Sequence, residues 1–487
     1  MKRIIAIVLA LIMIVALVGC GSKKRQPIQL TLSTEDSEAI LAAAGVALPD
    51  AETAAGANSV VKWLGWFDPF QNYNDDEIVQ TGYWTFQQKY GGSLDYIETT
   101  YADFTNDLAN NILGGTPPDL TLTGISQIYV FPMPCIKGTY QPIDPWIDYE
   151  NDNLWAGMKE AAEYFALGDK HFAVVYDLAF KDVVPYNRRV MTEWGFDDPA
   201  ELYANDEWTW DIVTEMALDF SDADANRFAF DGWYVPNACV EQSTGHYLIE
   251  KDSDGNYYSN INDPVIEVAE NLVYSWVKDD LFYREGNNYW ANRNEAQYGA
   301  GTKDGLCLFW ICDISGFRLR VEEMNNIWGS MEENEIMFVP LPRHSGGDGI
   351  YYLSANPDGA MLVNNAPNPD GAMLLCACLR FKTIDPTVIN IDKKQLKEIY
   401  LWTDEMLDMY DHCKELVEAN ARIFNTGAIP DNLRSSYDAL DWNIRRSGAQ
   451  NTWAQLVEQY GERMDYYCGE LNAAIDEYIS TGIYSGS

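Results

Sequence analysis

Histidine is scarce in this 487-residue chain: His171, His246, His344 and His412 are its four copies, each far from the others. No zinc-ligand spacing can be drawn from them. Basic residues are also short, 33 Lys and Arg against 74 Asp and Glu, a formal charge of -41. Such a surface repels phosphate backbones, so no nucleic-acid partner is expected. After the first twenty residues, no run is long and apolar enough to span a bilayer. A Gly-x-Ser-x-Gly elbow, a His-Glu-x-x-His helix and a dinucleotide glycine fingerprint are all missing. Nothing singles out two of the 74 acids as a glycosidase pair. We therefore expect no metal, no cofactor and no enzyme activity.

Two near-motifs fail on spacing. Asp252-Ser253-Asp254-Gly255-Asn256 alternates oxygen side chains, but its glycine stands fourth and Asp263 occupies the place of the bidentate glutamate. A hairpin turn between Tyr247 to Lys251 and Tyr257 to Ser259 fits better. Gly299-Ala300-Gly301-Thr302-Lys303 lacks the phosphate-loop spacing and a preceding strand, and reads as a turn.

The N-terminus is explicit. Lys2 and Arg3 precede an apolar stretch from Ile4 to Val18, and Leu17-Val18-Gly19-Cys20 matches a lipobox. Residues 1–19 read as a lipoprotein signal peptide and Cys20 as the attachment point of the lipid, diacylglycerol with palmitate-type chains. Everything beyond Cys20 then works on the extracellular face of the cell membrane, as in a Gram-positive cell. Residues 20–58, alanine-rich and acidic with no sustained pattern, read as a flexible tether.

The rest exceeds what one core fills, since single cores stop growing at about 250 to 300 residues. Two lobes follow, with 47% hydrophobic content arguing for globular structure. Eight cysteines remain after Cys20: Cys135, Cys239, Cys307, Cys312, Cys376, Cys378, Cys413 and Cys468. Those in apolar runs are expected as free buried thiols.

A strand from Val60 to Trp66, a helix from Glu77 to Tyr90, a strand from Leu94 to Thr99, a helix from Ala102 to Leu113 and a strand from Asp119 to Thr123 alternate with short joins. That order implies parallel crossovers, with ligands beyond the carboxyl ends of the strands. Further strands are expected at Phe172 to Tyr176, Val183 to Asn187, Leu306 to Trp310 and Ile336 to Pro340. Helices are expected at Arg188 to Trp194, from the Trp208-Thr209-Trp210-Asp211 opening to about Phe220, and from Pro264 with Val265, Val268, Leu272 and Trp276 on its apolar face. Asn-Pro-Asp-Gly-Ala-Met-Leu occurs at Asn356 and again at Asn368; the first copy leads into a strand at Ala360 to Val363 and the second into a helix. Helical patterns at Lys393 to Leu416 and Trp453 to Tyr478 close the chain.

Aromatic residues make up 13%, and several fall at strand ends. Any one of them could be core. The alternative is a sugar platform, in which an indole face stacks on pyranose C–H groups while carboxylates and amides take the hydroxyls. The candidate ligand residues are Trp66, Asp68, Thr123, Tyr176, Trp233, Tyr234, Trp310 and Asp313.

Three stretches resemble the family 1 extracellular solute-binding proteins of ABC importers, relatives of maltose-binding protein, over roughly Val60 to Phe381. They are Tyr101-Ala102-Asp103-Phe104 through Gly114-Gly115-Thr116-Pro117-Pro118-Asp119-Leu120; Val184-Pro185-Tyr186-Asn187-Arg188-Arg189 with Trp194-Gly195 and Trp208-Thr209-Trp210-Asp211; and Phe338-Val339-Pro340-Leu341-Pro342 with Asn368-Pro369-Asp370-Gly371-Ala372. The resemblance implies a two-lobed, type II periplasmic-binding-protein-like α/β fold, mixed sheets flanked by helices, with a ligand cleft between lobes. It places an N-terminal lobe at 59–180 plus 345–385, a C-terminal lobe at 181–344 plus 386–487, and crossings near Val174 to Val183 and Leu341 to Gly349. Trp310 falls where relatives often place a cleft aromatic, although Cys312 and Asp313 replace the usual Gly-x-Trp. Trp208 and Trp210 are expected as lobe structure. The implied partners are a carbohydrate, an oligosaccharide foremost, the permease subunits of an importer and the membrane through Cys20, for a monomer. A receptor for a peptide or cationic metabolite, a surface glycoside hydrolase and an adhesin or scaffold are the alternatives.

Overall fold

The structure is a computed structural model that describes residues 32–70, 78–123, 129–231, 235–287, 301–318, 321–420, 422–423, 429–441 and 448–482. It begins with helix α1 (Thr34–Ala47), capped by Ser33, whose hydroxyl accepts from the Asp36 N–H. Ile40, Ala44 and Leu48 recur at helical spacing and are buried. The stretch expected as a flexible tether is therefore folded from Ser33 onward, because this one stripe is enough to dock it. Its Asp36 pairs with Lys394, 358 positions away in the chain, at 2.8 Å.

The first sheet takes β1 (Val60–Gly65), β2 (Ser93–Glu98) and β3 (Leu120–Leu122), with helices α2 (Thr81–Tyr90) and α3 (Phe104–Leu113) between them. β1 pairs in parallel with both β2 and β3, as the alternating pattern requires. Gly91 ends α2 in the left-handed region at φ 64°. The helix starts at Thr81, four residues later than the sequence pattern suggests. A small hairpin, β4 (Ala166–Leu167) with β5 (Lys170–His171), leads into the eight-residue β6 (Ala173–Phe180).

One residue, Lys181, then carries the chain out of this sheet into β7 (Asp182–Asn187). Two further sheets follow. β7 is the centre of a three-stranded sheet with β12 (Cys312–Asp313) and β13 (Ile336–Val339), while β8 (Phe228–Phe230) pairs in parallel with β11 (Cys307–Phe309). The expected hairpin forms between β9 (Ile249–Lys251) and β10 (Tyr257–Ser259). The chain returns as β14 (Ser354–Leu362), antiparallel to both β3 and β6, and the short β15 (Arg422–Ile423) adds alongside. So the path between sheets is crossed between β6 and β7 and recrossed between β13 and β14.

Among the helices, α4 (Lys159–Glu163) precedes β4, and α5 (Arg188–Trp194) forms as expected, capped by Asn187 and ended by Gly195 at φ 72°. Thr209 caps α6 (Trp210–Phe220), and Trp208 and Trp210 are fully buried, lobe structure as the sequence indicated. Helix α7 (Pro264–Lys278) corrects the sequence reading: Val265 and Val268 are exposed, and Ile266, Ala269, Val273 and Trp276 form its buried face. Both stripes are apolar and share Trp276; packing chose the one with Ile266, Ala269 and Val273, which sets Trp276 against Phe230, ring centroids 4.6 Å apart.

The second copy of the seven-residue echo opens α8 (Pro369–Ile384), while the first lies inside β14 and starts that strand six residues earlier than expected. Expected as one helix, Lys393 to Leu416 is split into α9 (Pro386–Tyr400) and α10 (Asp404–Ala419) by Leu401, at φ 57°. α11 (Trp453–Thr481) runs for 29 residues behind a Thr452–Gln455 capping box. All eight described cysteines are free and buried.

Candidate functional site

Strand direction decides where side chains converge. β1, β2 and β3 end on one edge of the first sheet; β6, antiparallel to an antiparallel neighbour, ends there too, and β14 begins there. This is the edge at which the chain leaves for the second lobe.

Trp66 follows β1 on that edge, half-buried, its ring meeting Tyr101 and Phe104 edge-on at 5.6 and 5.9 Å. Asp68 accepts from the Phe70 N–H at 2.9 Å, which folds the loop after Trp66 into an Asx turn. Phe70 stacks on Tyr83 of α2 at 4.8 Å, so the turn is anchored at its far end. Thr123 follows β3: its N–H donates to the Gly359 carbonyl at 3.3 Å, and its hydroxyl to the Pro357 carbonyl at 3.1 Å. Gly359 must be glycine for this approach. A Cβ there would lie 2.6 Å from the Val174 carbonyl oxygen and 2.8 Å from Thr123 Cγ2. The β6–β14 register shifts at the same point, between Asp358 and Gly359.

Just before that bulge, Asp358 stands opposite Asp177. Desolvation, with Asp177 and Asp313 as like-charged neighbours, pushes the Asp358 carboxyl up to about 7. Asn356 donates to it at 2.5 Å. Asp313 arrives from β12 in the other lobe, paired in register with Asp182. Asp182 is buried, and its pKa too is raised, by burial against the help of Lys181, with Asp313 adding to the rise. Lys414 of α10 faces Asp177 from 3.7 Å. Tyr176 precedes Asp177, its hydroxyl pKa raised by burial and by Asp358 and Asp177.

One buried cation fixes this strand. Arg380 of α8 donates to the carbonyls of Leu154 at 3.0 Å, Ala156 at 2.9 Å and Tyr176 at 3.3 Å. Lys181 ties the lobes at the crossing: its N–H donates to the Ser354 carbonyl at 3.1 Å, and its own carbonyl accepts from Ile314 at 2.8 Å.

Of the residues singled out in the sequence, the structure sets Thr123, Tyr176 and Asp313 around Asp358, and Trp66 and Asp68 on the same sheet edge. Trp310, after β11, is 6% exposed and belongs to the apolar core. Trp233, Tyr234 and Cys20 lie outside the described residues. Sequence reading missed Asp177, Asp358 and Arg380. The echo that contains Asp358 was visible, but only the register of β14 on β6 shows which carboxylate it meets. Among the described residues, no group of three or more His, Cys, Asp or Glu is arranged to hold a metal ion, and no helix is long and apolar enough to cross a membrane.

Known structures share this architecture. An ABC substrate-binding protein from Listeria monocytogenes, solved with cycloalternan, superposes with a TM-score of 0.53 at 13% identity, covering 83% of this chain and 99% of its own. The fold is that of the ABC-transporter solute-binding proteins. Other members of that fold include the GacH receptor of Streptomyces glaucescens, solved unliganded and with acarbose (TM-score 0.58, 12% identity, 85% of this chain, 99% of that one). The sugar-binding protein MalE from Xanthomonas citri gives 0.57 at 12% identity over 86% and 99%. No family model matches the sequence, and no curated protein does. Two lobes joined by strand crossings, as the solute-binding fold has them, are what β6–β7 and β13–β14 build here.

Proposed function

We propose that this chain is the substrate-binding protein of an ABC importer, held outside the cell by lipid on Cys20, and that it captures a carbohydrate between its lobes for delivery to a permease. The observation that carries the reading is the fold match, which spans nearly the whole of proteins solved with cycloalternan and acarbose. The sheet edge supports it chemically. Trp66 offers an apolar face, and Asp68, Thr123, Tyr176, Asp313 and Asp358 offer donors and acceptors for hydroxyls around it. Trp233 and Tyr234 extend the proposed ligand set onto the second lobe, and the buried Trp310 is left out of it. We assign the N-terminal lobe to 59–180 plus 345–385 and the C-terminal lobe to 181–344 plus 386–487.

Ligand that touches both lobes stabilises the closed form over the open one by its differential affinity. The permease then reads the closed form, and lipid on Cys20 keeps the receptor at high local concentration beside it. A binding protein needs no catalytic group, and none is assigned.

The carboxylates Asp177, Asp313 and Asp358 favour a second reading, a cationic metabolite as the solute. A calorimetric screen of mono- and oligosaccharides, peptides and polyamines separates the two. Heat from an oligosaccharide is the expected result; silence from every sugar with binding of a polyamine or peptide would reject the carbohydrate assignment.

A further inference from the structure

Away from the crossing strands the lobes meet a second time, and the last helix is built into that meeting. Along α11, Leu456, Tyr460, Met464, Cys468, Leu471 and Ala474 recur at helical spacing and are buried. The helix is anchored on the second lobe. Asn472 brackets Tyr257 of β10, accepting from its N–H at 2.8 Å and donating to its carbonyl at 2.9 Å, and a Cβ on Gly461 would lie 3.7 Å from Ile261, just ahead of α7. Full burial stops at Ala474, yet the helix continues to Thr481. That overhang carries it about 10 Å further, over the β4–β5 hairpin of the first lobe. There the Tyr478 ring centroid lies 5.8 Å from Lys170 Nζ, and Ile479 sits 3.7 Å from where a Cβ on Gly168 would stand.

The β9–β10 hairpin reaches the same side of the first lobe. Lys251, the last residue of β9, donates from Nζ to the Tyr164 carbonyl at 2.7 Å, and lies 5.1 Å from the Phe131 ring centroid and 5.0 Å from those of Tyr164 and Tyr257. Phe131 and Tyr164 belong to the first lobe, and both pack edge-on against Phe165. Ring faces, a carbonyl oxygen and the carboxylate of Glu163, which lines the same cavity of about 640 Å³, all suit an ammonium. The contact is made by a charged amine.

Its distance from the crossing gives it leverage. Tyr164, Gly168 and Lys170 precede β6, whereas Lys181 follows it, and the strand between spans about 23 Å at about 3.3 Å per residue. A lobe rotation of about 10° acting over that arm moves the contact by about 4 Å, beyond the reach of a hydrogen bond. The grip therefore holds in one arrangement of the lobes and is lost in a more open one.

Resting on the clamp reading above, we propose that α11 and the β9–β10 hairpin form a strap that grips the first lobe far from the crossings and resists opening of the clamp. The ligand-free chain then exchanges between a strapped form and an open one. Lys251 supplies the directed contact, and the α11 overhang adds a second beside it. A ligand that closes the lobes adds its differential affinity to a balance the strap has already biased.

The test uses the ligand-free Cys20→Ser chain, whose eight described cysteines are buried, with spin labels at exposed positions of the two lobes, Leu113→Cys and Val268→Cys, 86% and 60% exposed. Interlabel distances are measured by pulsed electron resonance. Lys251→Ala should raise the ratio of open to strapped molecules about tenfold, the scale of one charge-assisted hydrogen bond with its ring contacts. Lys251→Arg keeps the charge and the rings and should stay near wild type. Tyr478→Ser with Ile479→Ser alters only the overhang, leaves the buried stripe intact, and should raise the ratio about threefold. An unchanged ratio in Lys251→Ala or in the double variant, or equal shifts in Lys251→Ala and Lys251→Arg, would overturn the strap. Because no sugar is added, a failed carbohydrate screen leaves this test standing, and a sugar-binding chain whose distances ignore these substitutions would reject the strap alone.

Discussion

Replacing Asp358 by Asn should stabilise the protein at pH 8 and do much less at pH 5. The Asp358 carboxyl sits at the β14 bulge opposite Asp177, with Asp313 beside it, and its pKa is raised from 3.8 to about 7. In the unfolded chain it ionises near its ordinary value. Between those two pKa values the folded state holds a proton that the unfolded state releases, so this group's contribution to stability is lost as pH rises to about 7. Three pKa units correspond to about 4 kcal/mol. Asp358 retains some contact with solvent, and screening reduces the cost to about 2 kcal/mol. Asn keeps the acceptor that Asn356 donates to and removes the charge. Urea unfolding of both proteins at pH 5 and pH 8 isolates the effect of this carboxylate cluster, since groups distant from Asp358 titrate equally in each. The variant's advantage should grow by about 1 to 2 kcal/mol between the two pH values. An advantage that is constant with pH, or a variant less stable at pH 8, would refute the electrostatic account of this strand pair.

Other expectations follow from the same contacts. Gly359→Val places carbon against the Val174 carbonyl and Thr123, and should cost about 1 to 3 kcal/mol in urea unfolding; no cost would mean that β6 and β14 do not approach as described. Arg380→Met strips a donor from the Leu154, Ala156 and Tyr176 carbonyls, and should cost about 3 kcal/mol in the same assay. Trp66→Ala should leave the fold cooperative but weaken carbohydrate binding about tenfold by calorimetry, the worth of about 1.4 kcal/mol; unchanged affinity would remove Trp66 from the ligand set. Cys20→Ser should release the protein from membranes while sugar affinity stays intact.

Local pattern carried most of the elements. Asn187 before Arg188, Thr209 before Trp210 and Asp263 before Pro264 cap helices where the sequence places their starts, because capping is a contact between near neighbours. The same strength explains why Thr452 and Gln455 mark the start of α11. What tertiary packing decides was less legible. α7 carries two apolar stripes, and the docked one contains Ile266 and Val273; α1 is held by three small or aliphatic side chains in an alanine-rich stretch, too little pattern to see until its partner is known. The candidate site divides in the same way. Trp66 and Thr123 were singled out because a strand's end is a local property. Asp177, Asp313 and Asp358 come together across 181 positions from Asp177 to Asp358 through the register of β14 on β6 and of β12 on β7, which no spacing within one segment encodes. Arg380 was hidden for a related reason: a cation inside an apolar helix gives no hint of the three carbonyls it meets.

The central claim is that ligand closes two lobes that the chain crosses between at Lys181 and again before Ser354. Small-angle scattering of the purified protein, with and without the oligosaccharide that gives heat in the calorimetric screen, tests it most directly. The radius of gyration should fall on saturation and return when the sugar is dialysed away. A saturating sugar that leaves the scattering curve unchanged would contradict the clamp.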